Sequence, residues 1–422
     1  MKYPHIFTLF AALAFPSLAN AQDITGQSPL SRYGLGTIFG YGLSRNEAMA
    51  GSGISVPSQD HINLINPALL PYTEKVNMNI DLRYQYRNLE VGNAYQYNGG
   101  AGGPAIFAIS LPLHRKVTVA FGIRPNSSRE FIFSQKKNVG GDSIQYISHG
   151  AGGTSKAFLS AGIRLSSRLT VGLETGYVFG TLEDSLKFGN LPISSNFEFI
   201  TITKKRYSQV VFKPGLSYRY PIRENTYLAF GASADLTGKF TYRTYQTFTI
   251  RGAGATAETL ADGTRNTLTQ PTTYSFGVGY YRPMEWSANA EFDFVDANGA
   301  TDNGSSLAYK NGWSVRAGGE ISPGTKKSTR YFNVITFRGG VAYSLLPQVI
   351  EGKSITEQKV SIGASFPIIR KEAKFTRPLI NLGVAYGQRG NANVSIGKEK
   401  FWMVTVGFTL NDFLWFNRYR ID

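Results

Sequence analysis

Apolar and polar residues alternate along most of the chain, in segments of about ten residues. From residue 74 onward apolar side chains recur at every second position, as at Met78, Ile80 and Leu82, with polar residues between them. A period of two places successive side chains on opposite faces of a β-strand. The pattern therefore predicts strands with one apolar face, separated by turn residues.

About fourteen such segments lie between residues 74 and 412, and the last of them runs from Trp402 to Leu410. Strands of this length and pattern are typical of transmembrane β-barrels, in which one face meets lipid and the other an enclosed interior. We therefore predict an all-β fold, an antiparallel transmembrane barrel of about 14 strands formed by residues 74–412. The alternative is a soluble sandwich of two sheets with a wet outer face.

The links between these strands differ in length. Short links occur at His114-Arg115, Ser166-Ser167 and Pro283-Met284, and we expect longer loops near residues 90–103, 135–153, 252–271 and 298–311. In bacterial barrels short turns face the periplasm and long loops face outside. An even number of strands then places both ends of the barrel on the periplasmic side.

Composition and the first residues favour an exported barrel. The chain contains 46 Gly, 24 Tyr and 28 Phe, and its mean hydropathy of −0.17 is too polar for a helical membrane protein. Residues 1–21 resemble a cleaved signal peptide, with Lys2, a short apolar run and an Ala-Asn-Ala end. The expected location is the outer membrane. The role of the aromatic tail, residues 413–422, stays open as an interface anchor or an insertion signal.

Residues 22–73 do not follow the strand pattern. They are rich in Gly, Ser, Asn and Pro with short apolar patches, and a disordered tail would carry fewer apolar residues. A barrel of this size also encloses a sizeable lumen. We predict that this segment folds into the lumen as a plug, also called a hatch.

Several motifs occur in a fixed order along the plug and barrel. They are Glu47-Ala-Met-Ala-Gly-Ser-Gly53, Asn63-Leu-Ile-Asn66-Pro67-Ala68-Leu-Leu70, the hairpin from Pro271 to Pro283, Arg338-Gly-Gly-Val-Ala-Tyr343 with Pro347, and the segment from Tyr386 to Gly390 that leads to Trp415-Phe416. Together they resemble the FadL family of outer-membrane transporters of fatty acids and hydrocarbons. The last segment resembles the Bacteroidota branch. The resemblance implies that Asn66, Pro67 and Ala68 shape the inner end of a ligand path, and a structural corner is the equal alternative.

The third strand contains a break in its alternation. Val117 to Ile123 alternate regularly, and then Arg124, Pro125, Asn126 and Ser127 interrupt the pattern. A proline within a barrel strand removes a ladder hydrogen bond. The resemblance implies a lateral gap here, through which a ligand leaves the barrel. An ordinary bulge, or a strand that ends at Ile123, would give the same sequence.

Inward-facing cations are candidates for binding an amphipathic ligand. Arg316 and Arg338 face the lumen by alternation on neighbouring strands, and Arg164 and Lys213 are further candidates. Each could instead pair with an inward carboxylate, as in a structural ion-pair network. We favour the network for any single residue, and so many charges put a fatty-acid substrate in doubt.

Catalytic and metal chemistry find little support in the sequence. None of the common hydrolase motifs is present, and the chain has no Cys and only 4 His. We therefore expect no enzyme activity and no cofactor or metal. Asp296-Ala-Asn298-Gly299 and Asp302-Asn-Gly304 could hold Ca²⁺ weakly, but turn chemistry explains them better.

The net charge of +16 is dispersed over strand ends and lumen, so lipopolysaccharide phosphates suit it better than nucleic acid. The expected function is passive uptake of hydrophobic small molecules, such as long-chain fatty acids, through the gap in the third strand. The alternative is a non-transporting barrel subunit of a larger outer-membrane assembly, for secretion or for insertion of outer-membrane proteins. Lipid, a hydrophobic ligand and other outer-membrane proteins are the partners that these hypotheses imply.

Overall fold

The computed structural model describes residues 28–40, 42–91, 95–139, 142–190, 198–251, 256–302, 308–324, 330–368, 378–390 and 397–412. The signal peptide and the aromatic tail predicted from the sequence lie outside these residues. So do several short stretches within the chain. No helix among the described residues is long and apolar enough to cross a membrane.

A single antiparallel sheet forms most of the described structure. Its strands are β1 (Thr37–Ile38), β2 (Val76–Val91), β3 (Tyr95–His114), β4 (Val117–Ser128), β5 (Phe131–Val139), β6 (Asp142–Arg164), β7 (Leu169–Asn190), β8 (Glu198–Arg223), β9 (Thr226–Asp235), β10 (Lys239–Arg251), β11 (Thr256–Thr269), β12 (Thr272–Arg282), β13 (Trp286–Asp296), β14 (Thr301–Asp302), β15 (Ala308–Tyr309), β16 (Gly312–Ile321), β17 (Thr336–Ile350), β18 (Lys353–Pro367), β19 (Leu379–Gly390) and β20 (Lys398–Asp412).

These strands form a closed barrel of 14 strands, as predicted. Five of these barrel strands each consist of two consecutive β-strands of the chain. For example, β4 and β5 both pair with β6, and β9 and β10 both pair with β8, so each couple counts as one barrel strand. The sheet closes where β2 pairs with β20, from Val76 opposite Asp412 to Glu90 opposite Lys398. Closure leaves no free edge at this seam.

The two faces of the barrel have opposite chemistry. In β19 the outward side chains of Ile380, Leu382 and Val384 are 38–42% exposed, while inward Asn381 and Ala385 are each 2% exposed. Exposed apolar residues recur on this face around the ring, among them Phe212, Phe276, Val315, Val360 and Trp402. We call this band the belt. A protein in water would expose the polar face instead, so the belt is a surface for lipid.

Four short helices complete the fold among the described residues. They are a four-residue α-helix, α1 (Ser44–Glu47), and 3₁₀ helices at Pro29–Arg32, Pro67–Tyr72 and Tyr331–Val334. Asn66 caps the helix at Pro67, because its side chain accepts a hydrogen bond from the Ala68 amide. Proline suits the first helical position, where its missing N–H costs nothing.

The segment from residue 28 to residue 73, the N-terminal segment, lies inside the ring of strands. Its α-helix contacts β18, β19 and β20, and the helix at Pro67 contacts β6, β7 and β8. Several barrel glycines face it so closely that an added Cβ would collide with its backbone, as at Gly172, Gly231 and Gly340. These contacts come from opposite sides of the barrel. The segment is therefore enclosed, although its role as a plug stays a prediction.

Three of the regions expected to be long loops are largely strand. Residues 95–103 begin β3, residues 142–153 begin β6, and residues 256–269 form β11. Residues 142–153 and β11, together with β5, the outer parts of β7 and β8, and β10, form a sheet that extends beyond the belt at the barrel end opposite Val76 and Asp412. We call it the projecting sheet. The sequence predicts loops in this region because the outward face of these strands lacks the regular apolar row that marks the belt, although the inward face buries apolar residues such as Phe240 and Tyr242.

Candidate functional site

The Asn66-Pro67-Ala68 corner is bonded to the barrel wall. Besides capping the helix, the Asn66 side-chain amide donates to the carbonyl oxygens of Ile54 at 2.8 Å and of Leu216 at 3.0 Å. Gly215 faces this corner, and a Cβ there would lie 2.2 Å from the Asn66 side-chain oxygen. The corner therefore packs against β8. Whether it also shapes a ligand path stays a prediction.

Charged side chains of the N-terminal segment form ion pairs with the barrel. Arg45, which is 2% exposed, donates to Glu320 at 2.6 Å, and Arg338 binds the same carboxylate at 2.9 Å. On the other flank of α1, Glu47 accepts from Arg83 at 3.1 Å and from Lys359 at 3.3 Å. The segment is therefore linked by charge directly to three strands of the wall, β2, β16 and β18, and through Glu320 to Arg338 of β17.

A carboxylate of the wall also holds the backbone of the N-terminal segment. Glu291 accepts a hydrogen bond from the Ile54 amide at 2.6 Å, and it also accepts from the Gly53 amide. Arg316 lies 3.2 Å from the same carboxylate and 2.8 Å from Asp293. Buried charges are tolerated when each is paired in this way.

Two groups in the N-terminal segment, Glu47 and His61, have lowered pKa values. Burial alone would raise the pKa of the Glu47 carboxyl, but Lys359 and Arg83 hold that pKa below its usual value. For His61, burial together with Arg338 and Arg45 lowers the pKa to about 3. Its Nε2 lies 3.0 Å from the side-chain oxygen of Asn381. His61 is consequently neutral at any physiological pH.

The four cations proposed as ligand-binding residues all have partners. Arg316 and Arg338 bind the carboxylates named above, Lys213 lies 3.4 Å from Asp235, and Arg164 donates to the Pro71 carbonyl at 2.8 Å. Arg164 also covers the ring of Tyr72 at 5.1 Å. These contacts favour the structural network that the sequence left open. Ligand binding by these residues stays a prediction.

Arg124, predicted to line a lateral gap, has an inward partner. Its guanidinium lies 2.7 Å from Glu174, which is 1% exposed, and Lys156 lies 2.6 Å from the same carboxylate. Pro125 remains within β4, where a register shift against β6 occurs between Pro125 and Ser127. Asn126 and Ser127 both bond Thr154 of β6. The break in alternation is therefore a bulge within a continuing strand.

β3 and β4 separate part of the way along the wall. Their pairing runs from His114 opposite Val117 to Phe107 opposite Ile123 and ends there among the described residues. Beyond that point β4 pairs with β1, Ser128 opposite Thr37, while β3 continues to pair with β2 only. The hydrogen-bond ladder between β3 and β4 is thus interrupted part of the way along the wall. Beyond the interruption, β1 of the N-terminal segment covers part of the edge of β4.

Two cavities lie on opposite sides of the N-terminal segment. The larger, of about 420 Å³, is lined by charged residues that include Glu47, Lys156, Asp293, Arg316 and Lys359. The smaller, of about 260 Å³, is lined by His61, Arg164, Arg219, Glu320 and Arg338 among others. Both cavities combine these charged groups with apolar side chains, such as Phe240 and Met403 in the larger one. A cavity that binds hydrocarbon is lined mainly by apolar side chains with few polar groups, so the number of charged groups distinguishes these cavities from such a site.

Sequence reasoning missed two features of this interior. Glu47 was considered only as part of a family motif, and Arg45 was not considered as a site residue, although charges in a segment predicted to lie inside the barrel require buried partners. It also missed a row of aromatic side chains across the projecting sheet. Tyr146, Phe188, Phe199 and Phe248 stack in sequence, with ring centroids 5.9, 4.9 and 6.2 Å apart.

The acidic loop considered for Ca²⁺ forms a turn. The Asn298 amide donates to the Asp296 carboxylate at 3.0 Å, which is the hydrogen bond of an Asx turn. Within the described part of the chain, no group of three or more metal-ligating residues comes together. Gly304 lies outside the described residues.

Several solved structures that are similar in fold are channels of the outer membrane. They include the monoaromatic hydrocarbon channel CymD (TM-score 0.56, 13% identity, 90% of this chain and 99% of that one). A FadL homologue from Pseudomonas aeruginosa matches with a TM-score of 0.55 at 12% identity over 89% and 99% of the two chains. The toluene transporter TbuX of Ralstonia pickettii matches with a TM-score of 0.56 at 14% identity, over 91% of this chain and 99% of that one. At these identities the likeness shows a FadL-type barrel fold and nothing about ligands.

Sequence comparison adds a family. No curated protein matches the chain. One family model does match, over residues 4–422, which is nearly the whole sequence. The chain, with its FadL-type fold and ion-paired interior, belongs to the BamG family.

Proposed function

We propose that this barrel is a non-transporting subunit of a larger outer-membrane assembly, of the kind that inserts outer-membrane proteins. In this proposal the barrel ends at Val76 and Asp412 face the periplasm and the projecting sheet faces outside. Membership of the BamG family supports an assembly of this class. The FadL-type fold supplies the membrane anchor, and the function depends on surfaces that bind neighbouring proteins.

The observation that carries the proposal is the ion-paired interior. Glu320, Glu47 and Glu291 tie the N-terminal segment to the wall from several sides. Removing one partner of a buried pair costs about 3–5 kcal/mol, and a hydrophobic ligand offers no compensating charge. An apolar molecule crossing this lumen would have to break such pairs. The interior therefore suits a rigid subunit better than a path for hydrocarbon.

The projecting sheet offers the corresponding docking surface. β11 pairs with β14 only at Leu268 and Thr269, so its outer residues have no described neighbour on that side. The stacked row of Phe188 and Phe199 with its two neighbours lies on the same sheet, half-buried. Free strand edges and aromatic rows are common elements of protein interfaces.

The test is purification of the tagged chain from mild detergent, with the complex resolved by native electrophoresis. We expect other outer-membrane proteins to co-purify in fixed ratio. The double variant Phe188→Ser, Phe199→Ser should release them, whereas Tyr331→Ser, Phe332→Ser, exposed at the opposite rim, should not. A chain that purifies alone from native membranes, with normal folding of other barrels after its depletion, would contradict the proposal.

A second candidate function is uptake of hydrophobic small molecules by lateral diffusion. The interrupted ladder between β3 and β4 favours it, because a ligand could leave the wall there. Under this hypothesis Arg124, Pro125, Asn126 and Ser127 border the exit. Uptake of labelled oleate should then fall in a deletion strain and recover with the parent gene. Unchanged uptake of every hydrophobic substrate tested would exclude this candidate.

A further inference from the structure

Three arginines lie side by side on the outward face of the projecting sheet. Arg206 of β8 is directly opposite Arg243 of β10, and Arg243 is directly opposite Arg265 of β11. All three side chains are exposed. Like charges placed directly opposite on neighbouring strands destabilise a sheet. Such a row is therefore a feature that folding alone does not favour.

The carboxylates near this row are few. No ion pair of the three arginines exists among the described residues, and the Arg206 guanidinium lies over the ring of Tyr245 at 5.7 Å. Glu183, on β7, is 3.2 Å from Lys204. The other carboxylate near the three arginines is that of Asp262 on β11. It lies opposite Tyr245, which is two residues after Arg243 on β10. One unpaired carboxylate cannot balance three guanidinium groups.

The row lies just beyond the belt. Arg206 shares the outward face of β8 with Val210 and Phe212, each 46% exposed, while Tyr207 and Val211 between them are buried on the inner face. Val210 is four residue steps from Arg206, a distance of about 13 Å along the strand. The three guanidinium groups spread over two strand spacings, about 10 Å. They consequently lie at the height where headgroups meet water.

We propose that Arg206, Arg243 and Arg265 bind the phosphate groups of an outer-leaflet lipid, namely the lipid A headgroup of lipopolysaccharide. The guanidinium fork fits phosphate oxygens bidentately, and bound phosphate removes the repulsion within the row. The site rests on the proposed orientation, with the projecting sheet outside. It does not depend on partner proteins, so its failure would leave the subunit hypothesis standing.

The test compares binding of the detergent-purified full chain to lipid A with two phosphates and to its dephosphorylated form, by native mass spectrometry. We expect the parent to prefer the phosphorylated lipid. The triple variant Arg206→Gln, Arg243→Gln, Arg265→Gln should bind it at least tenfold more weakly, as expected for losing charged hydrogen bonds. Circular dichroism and the melting temperature establish that the variant is folded.

A matched control removes three exposed arginines at the opposite rim, Arg168→Gln, Arg223→Gln and Arg282→Gln. It changes the net charge equally and should bind the phosphorylated lipid like the parent. Equal loss in both variants, or equal binding of both lipids by the parent, would overturn the proposal. Soluble pyrophosphate is the third probe. Binding of pyrophosphate as tight as that of lipid A would place the anion source in solution and contradict the lipid assignment.

Discussion

At the scale of single residues, the interior depends on carboxylates that each hold two cations. Glu320 binds Arg45 and Arg338, and Glu174 binds Arg124 and Lys156. Sequence alternation placed Arg338 and Glu320 inside, and both lie there. It could not decide between ligand binding and mutual pairing, since that choice depends on distances across the lumen.

Replacing Glu320 should destabilise the protein strongly. The variant Glu320→Gln leaves two buried guanidinium groups without a counter-charge, and we expect a loss of about 3–5 kcal/mol. Denaturant unfolding in detergent, followed by tryptophan fluorescence, measures this loss. The control is Glu285→Gln, whose partner Arg282 is 45% exposed, with an expected change below about 1 kcal/mol. Equal effects of the two substitutions would show that the network contributes no stability.

His61 should make stability depend on pH. Its pKa is lowered to about 3 in the folded chain, whereas an unfolded histidine titrates near 6.5. Between these values the unfolded state binds more protons, so stability falls as pH decreases below about 6.5. Lowering the pH from 7.5 to 5 should cost roughly 2 kcal/mol, seen as a lower melting temperature.

The matched variant His61→Gln removes this titration while it keeps a hydrogen-bonding side chain near Asn381. Its melting temperature should change less over the same pH range. A parent whose melting temperature does not change between pH 7.5 and 5 would contradict the prediction. Carboxylates such as Glu47 add their own losses at lower pH, because a lowered pKa removes stability as pH falls below about 4.5.

At the scale of elements, the N-terminal segment and the strand glycines determine each other's positions. Gly340 and Gly339 are neighbours in β17 with opposite surroundings. A Cβ on Gly340 would lie 2.4 Å from the Met49 backbone, whereas one on Gly339 would meet its nearest atom, the Ser361 carbonyl oxygen, at 3.7 Å. The alternation of faces explains the difference, because only Gly340 faces the segment.

We therefore expect Gly340→Ala to loosen the N-terminal segment and Gly339→Ala to leave it unchanged. Limited proteolysis of the folded barrel, with cleavage between residues 40 and 73 mapped by mass spectrometry, measures the difference. The first variant should be cut several times faster than the parent. The same cleavage rate in both variants would mean that the segment is not held against this strand.

The sequence pattern predicts the strands of the belt correctly, but it predicts loops where the projecting sheet has strands. The alternation of Ile380, Leu382 and Val384 predicts a lipid-facing strand, and β19 has that form. The outer parts of β6 and β11 lack such a face, so polar residues there suggested loops. Strands outside a membrane need no continuous apolar side, and only pairing with their neighbours shows that they exist.

At the scale of the whole molecule, a closed barrel holds an interior that is crossed by ion pairs. In planar lipid bilayers we therefore expect the reconstituted chain to show no steady conductance of porin size. Glu320→Ala, combined with Glu47→Ala, should open transient conductance, because the segment then loses its charged links to three strands. A stable open channel in the parent would contradict the rigid interior on which the subunit proposal rests.

The sequence by itself determined the number of strands, the face that each turns to lipid and the enclosure of polar residues, because a period of two is a local property. Only the tertiary structure decided which charges meet. Arg45 and Glu320 are 275 positions apart, and their contact requires the barrel to close in one register around the N-terminal segment. The same holds for the three arginines of the projecting sheet, which neighbouring strands bring together. No local pattern encodes such distances, since they follow from the pairing of distant strands.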